Sequence, residues 1–167
     1  MIPVQVHLVL NHVPLVGLVF GLIFSVLGMK RSSPQFYLAG LRIFWGMGVI
    51  AIPIVLSGLR SADALSGSSW LNAIAVARHQ RAGMLTLVVL MALSAVSETI
   101  LFRSHRSFVY PTKRVRTAVR VIASVGLGVM LWTSSLGGEL RHTELKSEGA
   151  RVNHQPSIEL TSARREG

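Results

Sequence analysis

The sequence contains no cysteine. Disulfides, thiolate metal sites and iron–sulfur clusters held by the chain itself are thereby excluded. Charge is scarce as well: 14% of the 167 residues are charged, where a soluble domain carries about a quarter. Acidic residues are the scarcest, 7 Asp and Glu against 17 Lys and Arg. No paired carboxylates and no nucleophile–base pair fall together in the apolar stretches, so a self-sufficient enzyme is not expected. The N-terminus also lacks the basic start and small-residue cleavage site of a secretory signal, and the first apolar run is expected to remain as an anchor.

What remains is largely apolar. Half of the residues are hydrophobic and the mean hydropathy is +0.52. Four long apolar runs stand out, from about Val4 to Met29, Leu38 to Leu59, Ala82 to Phe102 and Thr117 to Leu140. Each reaches the roughly 20 residues a membrane-crossing helix needs. The expectation is an all-α membrane protein, a four-transmembrane-helix bundle over residues 1–142 with a polar, irregular extramembrane tail over 143–167.

A net charge of +10 raises the question of nucleic acid. The basic residues answer it by their positions, because they lie between the apolar runs, where they set topology. Lys30, Arg31 and Arg42 in the first connection, with Arg103, Arg106, Lys113, Arg114, Arg116 and Arg120 in the third, make nine. The second connection has only Arg60, Arg78 and Arg81. The positive-inside rule then places the first and third connections in the cytoplasm and both termini in the periplasm. The five basic residues of the tail, Arg141, Lys146, Arg151, Arg164 and Arg165, pull the other way.

Small residues recur at fourth positions, Gly17 with Gly21 and Ser124 with Gly128. That spacing lets helices approach closely or leaves room for a flat macrocycle, and close packing is the commoner use. Pro14 and Pro53 lie inside spans; Pro14 frees the Leu10 carbonyl beside His12 and opens the helix there. Trp70, Leu71, Ile74, Ala75 and Arg78 share a helical spacing that suits a short interfacial helix turning into the third span at His79. Glu98, alone near the end of the third span, is expected to meet Arg103 or Arg42.

The histidines carry the functional expectation. His7 and His12 open the first run, His79 opens the third, and His142 follows the fourth. Odd spans start and even spans end on the same membrane face, so all four gather on one side. His105 and His154 fall elsewhere and receive no role. Ionisable groups at membrane depth are costly, and mark function by default. At about 1.5 Å per residue His12 lies about 7 to 8 Å deeper than His7. Two chemistries use histidines so placed. Haem b needs axial imidazoles from facing helices, for which His12 and His79 are the favoured pair. His7 and His142 would then support the site or form a second one, and Arg81 and Arg141 would meet the propionates. A bare copper or zinc ion would instead recruit His7, His79, His142 and Glu139. A cofactor-free structural subunit is the third possibility.

The opening HLVLNHVPLVG and the closing TSSLGGELRH, with a histidine opening the third span, resemble a widespread group of small bacterial four-helix membrane proteins, a domain of unknown function (DUF2231-like). Its members start with a segment like HPxxVHFP and end with one like GGxLVYRHG. The resemblance runs from His7 to His142. It implies a bacterial inner-membrane protein, and since some members are joined to Rieske-type domains, it implies redox work. The resulting expectation is a b-haem electron-transfer subunit of a respiratory or photosynthetic complex, partnered by lipid, other membrane redox subunits and a quinone, with no nucleic acid.

Overall fold

The computed structural model describes residues 7–65, 67, 72–107 and 110–153, with the backbone alone described at 65, 107 and 140–153. Four long helices carry the chain: α1 His12–Lys30, α2 Pro34–Leu65, α3 Ala73–Ser107 and α4 Lys113–Asn153. Among the described residues there is no strand. The stretches His7–Lys30, Pro34–Ala64, Ala73–Arg106 and Lys113–Glu139 are each long and apolar enough to cross a membrane. Their outward faces agree: Val9, Phe20, Leu56, Val88, Phe102, Val125 and Trp132 are all exposed. A continuous apolar exterior is untenable in water and natural in lipid. The protein is a multi-pass, all-α membrane bundle.

Each helix packs on its neighbour in sequence, and α1 closes the ring against α4. That arrangement leaves α1 diagonal to α3, and α2 diagonal to α4. The tightest seam is α1–α2, and glycine makes it possible. A Cβ at Gly21 would run into the Phe44 ring, and one at Gly28 would lie 2.6 Å from the Tyr37 backbone nitrogen. The Gly17–Gly21 pattern is therefore a packing surface. Ser124 and Gly128, by contrast, face outward. On the next seam Gly48 abuts Ser94, whose hydroxyl donates across to the Trp45 carbonyl at 3.0 Å. Leu18, Leu41, Phe44, Leu90, Leu93, Val119 and Ala123 fill the centre.

Three helix boundaries differ from the expectation. α3 begins at Ala73 rather than Ala82, because the Asn72 side-chain oxygen accepts from the backbone N–H groups of Ile74 and Ala75 at 3.0 and 3.3 Å. Ile74, Ala75 and Arg78 are thus the first turns of the span itself, and no separate interfacial helix exists from residue 73 onward. Trp70 and Leu71 lie outside the described residues. α4 runs through to Asn153, so residues 143–153 are helical where an irregular tail was expected. The segment holds good helix formers such as Glu144, Leu145, Lys146 and Glu148, and no proline occurs between Lys113 and Asn153. Residues 154–167 lie outside the described residues.

The third difference is at the start of α1. Residues 7–10 form a helical turn of their own, Asn11 interrupts, and α1 proper begins at His12. Pro14, buried in the bundle, has no N–H to carry the helix ladder back across the interruption. The His12 ring makes a separate tie across the same interruption, its Nδ1 lying 3.1 Å from the Leu8 carbonyl. Glu98 is exposed, and among the described residues it pairs with neither Arg103 nor Arg42.

A histidine-lined cavity at one end of the bundle

At the face where α1 and α3 begin, the packed core gives way to a cavity of about 380 Å³ with walls from all four helices. Its floor is the top of the core, with Pro14, Ala51, Leu90 and Met130. Most of the wall is apolar. The polar groups on it are few: His7, Asn11, His12, His79, Gln80, Thr86, Thr133 and Ser134. An apolar chamber with a small number of convergent polar groups is the ordinary form of a ligand site.

Two of those groups face each other across the bundle. The imidazoles of His7 and His79 lie with ring centroids 6.5 Å apart and planes at 85°. They come from the turn ahead of α1 and from α3, the diagonal pair. His7 sits against α2: its Nδ1 is 3.1 Å from the Ile54 carbonyl and 3.2 Å from the Ser57 hydroxyl. Ser57 donates its own proton to that same carbonyl at 2.7 Å. Both neighbours of His7 Nδ1 can therefore only accept, so the ring proton is on Nδ1. His79 repeats the device on α4, with Nδ1 3.1 Å from the Thr133 carbonyl. A carbonyl cannot donate, so Nδ1 carries the proton there too. In a neutral imidazole protonated at Nδ1, Nε2 is left as a lone-pair donor to a ligand. Such anchoring of one nitrogen is how metal-binding histidines are oriented.

Two glycines make this possible. A Cβ on Gly58 would stand 2.8 Å from His7 Cε1, and one on Gly137 would stand 3.1 Å from His79 Cε1. Each ring thus lies in a notch in the neighbouring helix, one beside α2 and the other beside α4. Asn11 completes the wall with an unusual feature. Its side-chain oxygen is buried and has no hydrogen-bond partner, a state that costs about 1–3 kcal/mol unless something binds it.

The expected site residues fare unequally. His79 is in the cavity with its ring anchored, as is His7. His12 reaches the cavity rim but is exposed, and its Nδ1 is engaged with Leu8 across the helix interruption. It is His7, and not His12, that the structure sets opposite His79. Arg81 and Glu139 are exposed and form no part of the cavity wall. α4 carries Arg141 and His142 past the same face, but their side chains lie outside the described residues. Among the described residues no three His, Asp or Glu side chains converge as a metal site. Asn11 lies in HLVLNHVPLVG and Thr133 and Gly137 in TSSLGGELRH, but none of them carried an expected role, and Ser57 and Gly58 stand in no motif. Gly58 and Gly137 had a signal, since each is a glycine inside a helix near the histidine-bearing face.

No family model, curated protein or solved structure matches the chain.

Proposed function

We propose that the cavity holds a haem b between His7 and His79, and that the protein is an electron-transfer subunit of a larger redox assembly in the bacterial inner membrane. In this reading electrons pass between a quinone and an external partner, and both termini face the periplasm. The observation that carries it is the opposed imidazole pair. Two imidazoles bound to one metal from opposite sides, at nitrogen–metal distances of about 2.0–2.1 Å, have ring centres about 6.3 Å apart. The 6.5 Å between the ring centroids is close to that separation. The pair His7/His79 replaces His12/His79 as the favoured ligands.

Bound haem supplies one-electron redox chemistry at iron. The chain supplies the rest. Ile54 and Thr133 hold the rings in one tautomer, Gly58 and Gly137 give them room, and the apolar wall excludes water and lowers the local dielectric. Leu8, Leu59, Met84 and Leu87 offer the apolar contact a macrocycle needs. A single copper or zinc ion is the second reading, favoured by the buried, unpartnered oxygen of Asn11 on the same cavity wall as the two imidazoles.

The test is an absorption spectrum of detergent-purified protein expressed with haem precursor, together with metal analysis. A Soret band that disappears in His7→Ala and in His79→Ala, and survives in His12→Ala, is the expected result. Loss in His12→Ala with retention in His7→Ala would restore the other pair. Absence of the band in every preparation refutes haem binding, and stoichiometric copper or zinc would then select the second reading.

A further inference from the structure

The opposite end of the bundle holds a second cluster, independent of the cavity. Tyr37, in the first turn of α2, is 1% exposed, and its ring meets that of Tyr110 edge to face with centroids 5.7 Å apart. Arg116, in the first turn of α4, places its guanidinium 5.0 Å from the centre of the Tyr110 ring. Stacking of this kind fixes the plane of the guanidinium. The Tyr37 hydroxyl, the Tyr110 hydroxyl and Arg116 Nε are all buried, and none has a hydrogen-bond partner.

These groups share a chemistry. Arg116 Nε can only donate, and both phenols donate readily. Buried donors in native proteins find acceptors, and one of these belongs to a permanent cation. One turn deeper, Arg120 directs one nitrogen at the Met29 sulfur, 2.9 Å away, and another at the Thr117 hydroxyl, 3.0 Å away. Arg120 Nε donates to the Arg116 carbonyl at 3.2 Å, but a thioether is a weak acceptor for a guanidinium and none of these partners is anionic. Among the described residues neither arginine pairs with a carboxylate. No group among the described residues matches them, and an acceptor-rich anion would.

We infer that Tyr37, Tyr110, Arg116 and Arg120 form a binding site for a phosphate-bearing anion at this face. The ends of α1 and α3 and the starts of α2 and α4 place it where lipid headgroups lie. Arginine suits phosphate because its planar donors match the oxygen geometry, and the phenols supply further donors from the interior side. Phosphate arrives there on an anionic phospholipid or as the free ion.

The test uses the full chain in detergent, analysed by native mass spectrometry with phosphatidylglycerol or phosphatidylcholine at equal concentration. The expected result is a one-to-one phosphatidylglycerol adduct favoured over phosphatidylcholine, and weakened about tenfold in Arg116→Gln. Tyr37→Phe keeps the ring and its packing and removes only the hydroxyl, and it should weaken the adduct as well. Displacement by inorganic phosphate assigns the site to the free ion, and resistance to it assigns the site to lipid. Equal retention of the two lipids without phosphate binding refutes the site. So does wild-type retention in both variants.

Discussion

The hydroxyls of Thr86 on α3 and Thr133 on α4 meet at 2.9 Å on the wall of the histidine cavity. Thr86 also reaches the Ala82 carbonyl at 3.0 Å, and Thr133 the Val129 carbonyl at 2.9 Å. Two protons therefore serve three contacts, and the bond between the helices is formed only part of the time. Hydrogen bonds between membrane helices average about 0.6 kcal/mol. Thr86→Val should lower bundle stability by about that amount, measured by unfolding in mixed micelles. The Thr133 carbonyl that anchors His79 is untouched, so ligand binding should persist. A loss beyond about 2 kcal/mol would show that the pair matters more than the shared protons allow.

Gly137→Ala tests the notch beside His79. Overpacking of a filled site costs about 1–3 kcal/mol, which as binding free energy is about 5- to 150-fold in affinity. The ring is the group that must yield. Haem or metal affinity should fall by that factor, while Gly46→Ala, where a Cβ meets nothing within 4 Å, should leave it unchanged. Equal affinities in the two variants would separate the notch from ligand binding.

The α1–α2 seam predicts an order of severity. At Gly17 an added Cβ meets the flexible Met47 side chain, whereas at Gly28 it meets the backbone of Tyr37. Methionine can move aside and a helix backbone cannot. Gly28→Ala should cost about 1–3 kcal/mol, with Gly17→Ala within about 1 kcal/mol of the parent, helped by alanine's helix preference. Reversal of that order in a denaturation series would refute the seam geometry.

Topology gives an independent prediction. With nine basic residues in the first and third connections and three in the second, a C-terminal alkaline phosphatase fusion should be active. Activity only with a cytoplasmic reporter would turn the bundle over. The histidine end would then face the cytoplasm.

The four spans were legible because lipid demands long apolar helices, and little else in a sequence imitates them. The common face of His7, His12 and His79 was also legible, since it follows from counting spans. Depth was the misleading clue. His12 lies deeper than His7 along the chain, yet the interruption at Asn11 engages its ring with Leu8. His7 is the residue that reaches across, because Ile54, Ser57 and Gly58 of α2 receive it. Those partners are about fifty positions away, and hydropathy carries no record of such pairings. The start of α3 was recoverable, since Asn72 has the side chain of a helix cap. The reach of α4 was recoverable from its residue preferences.

The interruption at Asn11 makes the N-terminal turn a latch. Residues 7–10 are joined to α1 through one backbone bond from Asn11 N–H to the His7 carbonyl, 3.0 Å long, and through the His12 ring. Their other attachment is the His7 ring on α2. Release of that ring from Ile54 would loosen this one turn and need not disturb α1 to α4. If the proposed haem binds there, it could enter from the end of the bundle without parting the four long helices. In the proposed haem site His7 would be the ligand carried on this separate turn, and His79 the ligand fixed within a continuous helix.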